Sequence, residues 1–185
     1  MFEVAQRCCE DQPPAEVACV FASRYGSFAT TISLLEDLAR DAPLSPARFS
    51  HSVHNTQAGL FSIWARNPLP SVSVAAGAET FAHGFLEAVG RLQREPERPV
   101  LFVSGDETVP GPVAELADPA LAPHALGLLL AADGAAARLR LGLEACRTEA
   151  KPERWPDALE FVRWWLSEEA TLRIARPPRA WTWTR

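Results

Sequence analysis

The stretch Ser71-Val-Ser-Val-Ala-Ala-Gly-Ala-Glu-Thr-Phe81 decides the architecture. Small polar and β-branched residues alternate from Ser71 to Val74, which is the period of a strand, and the strand reads over Pro70–Ala76. Gly77 ends it. Glu79 puts an acid where the helix dipole favours one, so capping is its expected role. Phe81, Phe85, Ala88 and Leu92 then recur at helical spacing and mark the inner face of a helix. Working outward, Pro99-Val-Leu-Phe-Val103 and Val17-Ala-Cys-Val-Phe-Ala22 are short apolar runs of strand length. Ser27 can cap a helix with Phe28, Ile32, Leu35 and Leu38 on one face. Ser45-Pro46 reads as a cap followed by proline at the first helical position. The helix that follows, to Trp64, carries Phe49, Val53, Leu60, Ile63 and Trp64 on one stripe. The order is strand, helix, helix, strand, helix, strand. It predicts an α/β fold with helices layered on a largely parallel sheet.

The last third changes character. Ala125–Ala132 and Ala135–Leu143 flank Asp133-Gly134, which predicts a hairpin with a tight primed turn. Leu139 and Leu141 alternate with Arg138 and Arg140, giving one buried and one wet face. Trp155-Pro156 opens a helix bearing Leu159, Val162 and Leu166. Thr171–Ile174 and Ala180–Thr184 flank Pro177-Pro178 as a final hairpin, with Trp181 and Trp183 on one face. Five of the six tryptophans lie at or beyond 155, so this end is a packing element.

Composition narrows the function. The 185 residues fit a single domain, 1–185, large enough to fold without disulfide or metal. With 18 basic and 23 acidic residues the formal charge is −5, and no like-charge block is present. That argues against a nucleic-acid partner or an anionic membrane surface. The longest apolar stretch, Ala125–Ala132, is too short for membrane insertion. Cys8, Cys9, Cys19 and Cys146 form no C-x-x-C pair, the sparse usage of a reduced compartment, and the expected location is the cytoplasm.

Little of the remaining chemistry points to catalysis. Cys8 and Cys9 fall late in an N-terminal helix, where the dipole opposes ionisation, and read as structural thiols. Cys19 lies inside a strand. Ser104-Gly-Asp-Glu follows a strand but reads as a plain turn, without G-x-S-x-G around it. His51 and His54 are three apart on the expected helix, yet no third ligand is apparent, so they read as a packed pair and not as a metal site. No glycine-rich phosphate loop exists, and no cofactor is expected. At the strand-to-helix junction a cysteine would be an activated nucleophile. This chain has Ala75, Ala76, Gly77, Ala78 and Glu79 there.

Taken together, these motifs resemble the β-ketoacyl synthase family. Ser45-Pro46-x-x-Phe49, Ser52-Val53-His54-Asn55, Ala58-Gly59 and Ser62-Ile63 are similar to the helix that precedes that family's active-site strand. Closer still is the likeness to small, truncated, chain-length-factor-type proteins of aryl polyene and xanthomonadin-like pigment pathways. It rests on Val20-Phe-Ala-Ser-Arg-Tyr-Gly26, Phe49–Ile63, Ala75–Phe81, Phe161-Val-Arg-Trp164 and Trp181–Arg185. The resemblance implies a thiolase-like layered fold, the N-terminal half of a ketosynthase with C-terminal hairpins. It implies a leading strand before Met1–Cys9 and an open sheet edge where that strand is absent. The family's catalytic cysteine is missing from Ala76, Gly77, Ala78 and Glu79, a vestigial junction, and so is the half that carries its two histidines.

The implied function is non-catalytic. The chain would form a heterodimer with an active ketosynthase and reach the acyl carrier protein through that complex. His54, Asn55, Phe61, Trp64, Ser71, Ser73 and Val74 would form the interface and help bound the acyl tunnel. Two alternatives stay open. One is an acyltransferase or hydrolase using Ser104 or Cys19, and the other is a homodimeric binding module.

Overall fold

Three parallel strands carry the architecture: β1 (Ala18–Ala22) lies between β2 (Ser71–Val74) and β3 (Val100–Asp106). A fourth, β4 (His124–Leu130), runs antiparallel to β3, so the sheet order is β2-β1-β3-β4 and β2 is an edge. The computed structural model describes residues 1–109, 111–116, 122–134, 137–147 and 155–185. Among these, no helix is long and apolar enough to cross a membrane.

Strand pleating sends alternate side chains to opposite faces, and the two faces build two cores. On one side Cys19, Phe21, Leu101 and Val103 meet helix α1 (Phe2–Cys8) and the Ala58, Phe61 and Ala65 face of α4 (Thr56–Ala65). On the other, Val20, Ala22, Val100 and Phe102 meet α5 (Thr80–Arg94) and α6 (Asp157–Trp165). Close approach of α5 to the sheet requires Gly84, since a Cβ there would lie 2.6 Å from the Ala22 methyl. Phe81, Phe85 and Ala88 form the inner face as the periodicity predicts, and Leu92 packs beside them.

The second sheet covers α5 and α6. Its order is β5-β7-β6, from β5 (Arg140–Ala145), β6 (Thr171–Arg176) and β7 (Arg179–Thr184), all antiparallel. The Pro177-Pro178 hairpin forms as expected, pairing Ile174 with Trp181 and Leu172 with Trp183. Trp183 is fully buried, its ring 5.7 Å from Phe81 and 6.0 Å from Phe85, centroid to centroid.

Four expectations are corrected. The Ser45–Trp64 helix is two helices, α3 (Pro46–Ser50) and α4, broken over residues 51–55. The hydroxyls there compete with the helix for carbonyls: Ser50 donates to Ala47, Ser52 to Phe49 and Thr56 to Val53. The cap at its start is as expected, with Ser45 accepting from the Arg48 amide. Helix α2 (Phe28–Ala39) forms, but without a Ser27 side-chain cap, and it buries only Leu34 while Leu35 and Leu38 face outward. No hairpin forms at Asp133-Gly134: β4 pairs with β3 and β5 with β7, while residues 135 and 136 lie outside the described residues. Helix α6 buries Ala158, Phe161 and Trp164, and Leu166 is exposed. The larger aromatic area turns the helix about one residue from the Leu159–Val162 face.

Replacing Trp183 with alanine is expected to cost about 3–5 kcal/mol, lowering Tm by about 6–20 °C for a chain of this size. Leu166→Ala, on the surface, should leave Tm within about 2 °C. Thermal unfolding followed by circular dichroism checks both, and an unchanged Tm for Trp183→Ala contradicts the packing described.

Candidate functional site

The junction after β2 sits at the open edge of the first sheet. Ala75 and Ala76 leave the strand, and a 3-10 turn, Gly77–Glu79, leads into α5. Gly77 has φ +56°, where side chains are disfavoured, and the space a Cβ would enter is empty. Thr80 fixes the turn: its hydroxyl accepts from the Ala76 amide at 3.0 Å and donates to the Gly77 carbonyl at 2.7 Å. Ala75, Gly77 and Ala78 are exposed. The junction is therefore an open platform without a thiol, its turn fixed by Thr80.

Glu79 makes no capping bond. Its carboxylate instead accepts from the Arg179 guanidinium and the Trp181 indole, each at 2.8 Å, while His83 approaches to 3.9 Å. Burial pushes this carboxyl up. Hydrogen bonds from Arg179 and Trp181 and the charges of Arg179 and His83 outweigh that and hold it below the usual value. Arg176 adds a second tie, donating to the Ala78 carbonyl at 3.4 Å and pairing with buried Asp157. Sequence reading missed Thr80, Arg176 and Arg179. A threonine at a helix start was the available signal for the first, and the others act across about a hundred residues.

Cys8, Cys9 and Cys19 are held in the protonated form. Burial pushes Cys9 to about 11 and Cys19 to about 12, each helped by a neighbouring cysteine. Cys8 is also raised by burial. Ser104 is not in a turn: it is buried inside β3, opposite Ala22 and Leu126.

The expected interface residues fall into three groups. Phe61 is fully buried in the α4 core and leaves no surface for a partner. His54 precedes α4 and donates through Nε2 to the Ser23 carbonyl at 2.8 Å, whereas His51 ends α3, so the two histidines share no helix. Asn55 stands exposed at the α4 start without a capping bond. Ser71, Ser73 and Val74 lie on edge strand β2. Val74 packs toward α5, and the Ser73 hydroxyl has no hydrogen-bond partner among the described residues. Trp64 is 45% exposed, edge-on to Phe2. It continues a set of uncovered apolar residues on α2, α3 and α4: Leu35, Leu38, Phe49 (66% exposed), Leu60 and Ile63 (77%).

A mixed α/β sheet whose edge strand ends in an exposed, thiol-free helix start agrees with the thiolase-like layer that the sequence motifs imply. The chain belongs to the family of the β-ketoacyl synthase N-terminal domain, which it matches over residues 1–184. A chain of the ketosynthase (ApeO) in complex with its chain length factor (ApeC) from Xenorhabdus doucetiae is similar at TM-score 0.84 and 29% identity, over 100% of this chain and 75% of that one. The ishigamide ketosynthase/chain length factor is similar at TM-score 0.44 and 13% identity, over 92% and 36%. No curated protein matches in sequence.

Because the folded Glu79 carboxyl sits below its unfolded value, it contributes stability above the unfolded pKa and loses it as pH falls through the folded one. Glu79→Gln should lower Tm at pH 7, with the gap to wild type closing below about pH 4. Melting curves across pH 3–7 test this, and a constant gap sinks it.

Proposed function

We propose that this chain, acting as a single domain over 1–185, is a non-catalytic, chain-length-factor-like partner of an active β-ketoacyl-ACP synthase in the cytoplasm. The pair elongates a polyene or fatty-acid-like acyl chain delivered on an acyl carrier protein, which docks through the synthase. The observation that carries this reading is the junction itself. The point where the family places its nucleophile is Ala75-Ala76-Gly77, with Ala75 and Gly77 exposed and the turn fixed by Thr80. The buried thiols and buried Ser104 weigh against an acyltransferase or hydrolase.

The surface supports a partner. Monomers rarely expose large contiguous apolar patches, and such patches mark interaction sites. Here Leu35, Leu38, Phe49, Ile63 and Trp64 stand uncovered on consecutive helices. Beside them β2 offers an open strand edge, a template for pairing with another chain. The similar structure is a ketosynthase with its chain length factor, which favours a heterodimer over two copies of this chain. In that dimer β2 and the small residues Ser71 and Ser73 face the synthase, and His54, Asn55 and Trp64 flank the acyl tunnel. Phe61 supports them from within.

Co-expression with a ketosynthase similar to ApeO should give a 1:1 complex on size exclusion, and the chain expressed alone should not elute as a homodimer. Ile63→Arg lies on the surface, so it should abolish the complex and leave Tm unchanged. Ser73→Arg should abolish it as well, because an unpaired charge at a buried interface costs several kcal/mol. A complex that survives both changes contradicts the proposed interface. Incubation of the isolated chain with an acyl thioester should leave its mass unchanged, and an acyl adduct within residues 71–81 would falsify the non-catalytic reading.

A further inference from the structure

Helix α2 is turned inside out relative to an ordinary surface helix. Ser33 and Asp37, four residues apart, share its covered side with buried Leu34. Leu35 and Leu38 are each more than half exposed, and Glu36 and Ala39 stand beside them in solvent. A surface helix normally turns its leucines to the core and its charges to water. Here a carboxylate and a hydroxyl are turned in, toward α3, and the leucines are turned out.

The Arg48 guanidinium reaches them from α3. Nη1 donates to the Asp37 carboxylate at 2.6 Å, and Nη2 donates to the Ser33 hydroxyl at 2.5 Å. The two acceptors lie one helical turn apart, so a single planar fork fixes both the roll and the axial position of α2. Arg48 is itself seated, since its amide donates to Ser45 Oγ at the α3 cap, at 3.3 Å. Glu36 is matched by Arg40 at 3.6 Å on the outer side and does not compete for Arg48. Thr31 adds a longer tie, from its hydroxyl to the Ser52 carbonyl at 3.3 Å. Apolar packing orients this pair of helices little, because α3 buries no residue and α2 only Leu34.

An ion pair this close to solvent contributes little to stability. Its effect is on geometry: with the fork closed, α2 cannot roll Leu35 and Leu38 under cover, and Phe49, the residue after Arg48, stays outward. We infer that Arg48 is a positioning residue that holds the α2–α3 arm in the shape the synthase partner receives, so that association does not have to order the arm first. Preorganisation of this kind raises affinity by cutting the ordering cost of binding. The effect on binding rests on the heterodimer proposed above, and the effect on the arm does not.

The test is Arg48→Met, Asp37→Asn and the double variant, each in the full chain. In the chain alone, amide hydrogen exchange within Phe28–Ala39 should quicken about tenfold in all three while Thr80–Arg94 is unchanged. Tm should stay within about 2 °C of wild type. With a ketosynthase similar to ApeO, each single variant should weaken the complex about fivefold. The double variant should match the singles to within about twofold, because all three open the same fork. Unchanged exchange in α2, or a wild-type complex whose affinity the single variants leave intact, overturns the inference. Losses that add in the double variant also overturn it, since Arg48 and Asp37 then touch the partner themselves. So does a fall in Tm with exchange quickened throughout the chain, which makes the pair part of the fold's stability. A wild-type chain that forms no complex overturns the heterodimer instead, and the exchange in α2 still decides whether Arg48 sets the arm.

Discussion

The contact on which the rest depends is the Glu79 carboxylate between Arg179 and Trp181. It joins the start of α5 to the last strand of the second sheet. Arg176 repeats the tie through the Ala78 carbonyl and Asp157. Together they hold the hairpin β6–β7 over α5 and α6, where its tryptophans meet Phe81, Phe85 and Phe161. The same bonds hold the junction from behind. Its front, at Ala75, Gly77 and Ala78, stays open, so a surface with no chemistry of its own is nonetheless rigid.

That arrangement divides the molecule into a closed half and an open half. Around α5 and α6 most of the large apolar side chains are buried, three tryptophans among them, and Leu86, Trp165 and Leu166 are the exceptions. Around α2 and α3 they are not: α2 rests mainly on α3, tied by Arg48 to Asp37 and Ser33, and stands off the sheet. An exposed leucine is ordinary on a protein surface. Phe49, Ile63 and Trp64 beside an unpaired strand edge are not, and the asymmetry matches a subunit that completes its surface in an assembly.

Much of this was legible in the sequence. The α/β alternation, the strand at Ser71–Val74, the helix beginning near Thr80 and the final hairpin all rest on periodicity and turn residues, which act locally. What failed was decided by distant partners. Asp133-Gly134 has the residues of a tight turn, but Leu128 finds Phe102 and Leu141 finds Trp183, so its two flanks enter different sheets. Glu79 looked like a cap because Arg179 lies a hundred positions away. The Ser45–Trp64 stripe was read correctly as apolar, but period alone cannot say whether a stripe faces a core or a partner. Phe61 went inward, and Ile63 and Trp64 outward.

The dependence of α5 on the hairpin has a consequence for synthesis. Trp181 and Glu79 are 102 residues apart in the chain. At about 5–20 residues per second, roughly 5–20 s separate their translation. During that interval Phe81 and Phe85 have been made, but the strands that cover them have not. The nascent chain thus presents the aromatic face of α5, beside an unpaired sheet edge, for the whole of that time. Such intermediates are where aggregation begins. For this protein the hazard is greatest before the chain is finished, so yield in the cell depends on chaperone cover during translation as well as on the stability of the finished fold.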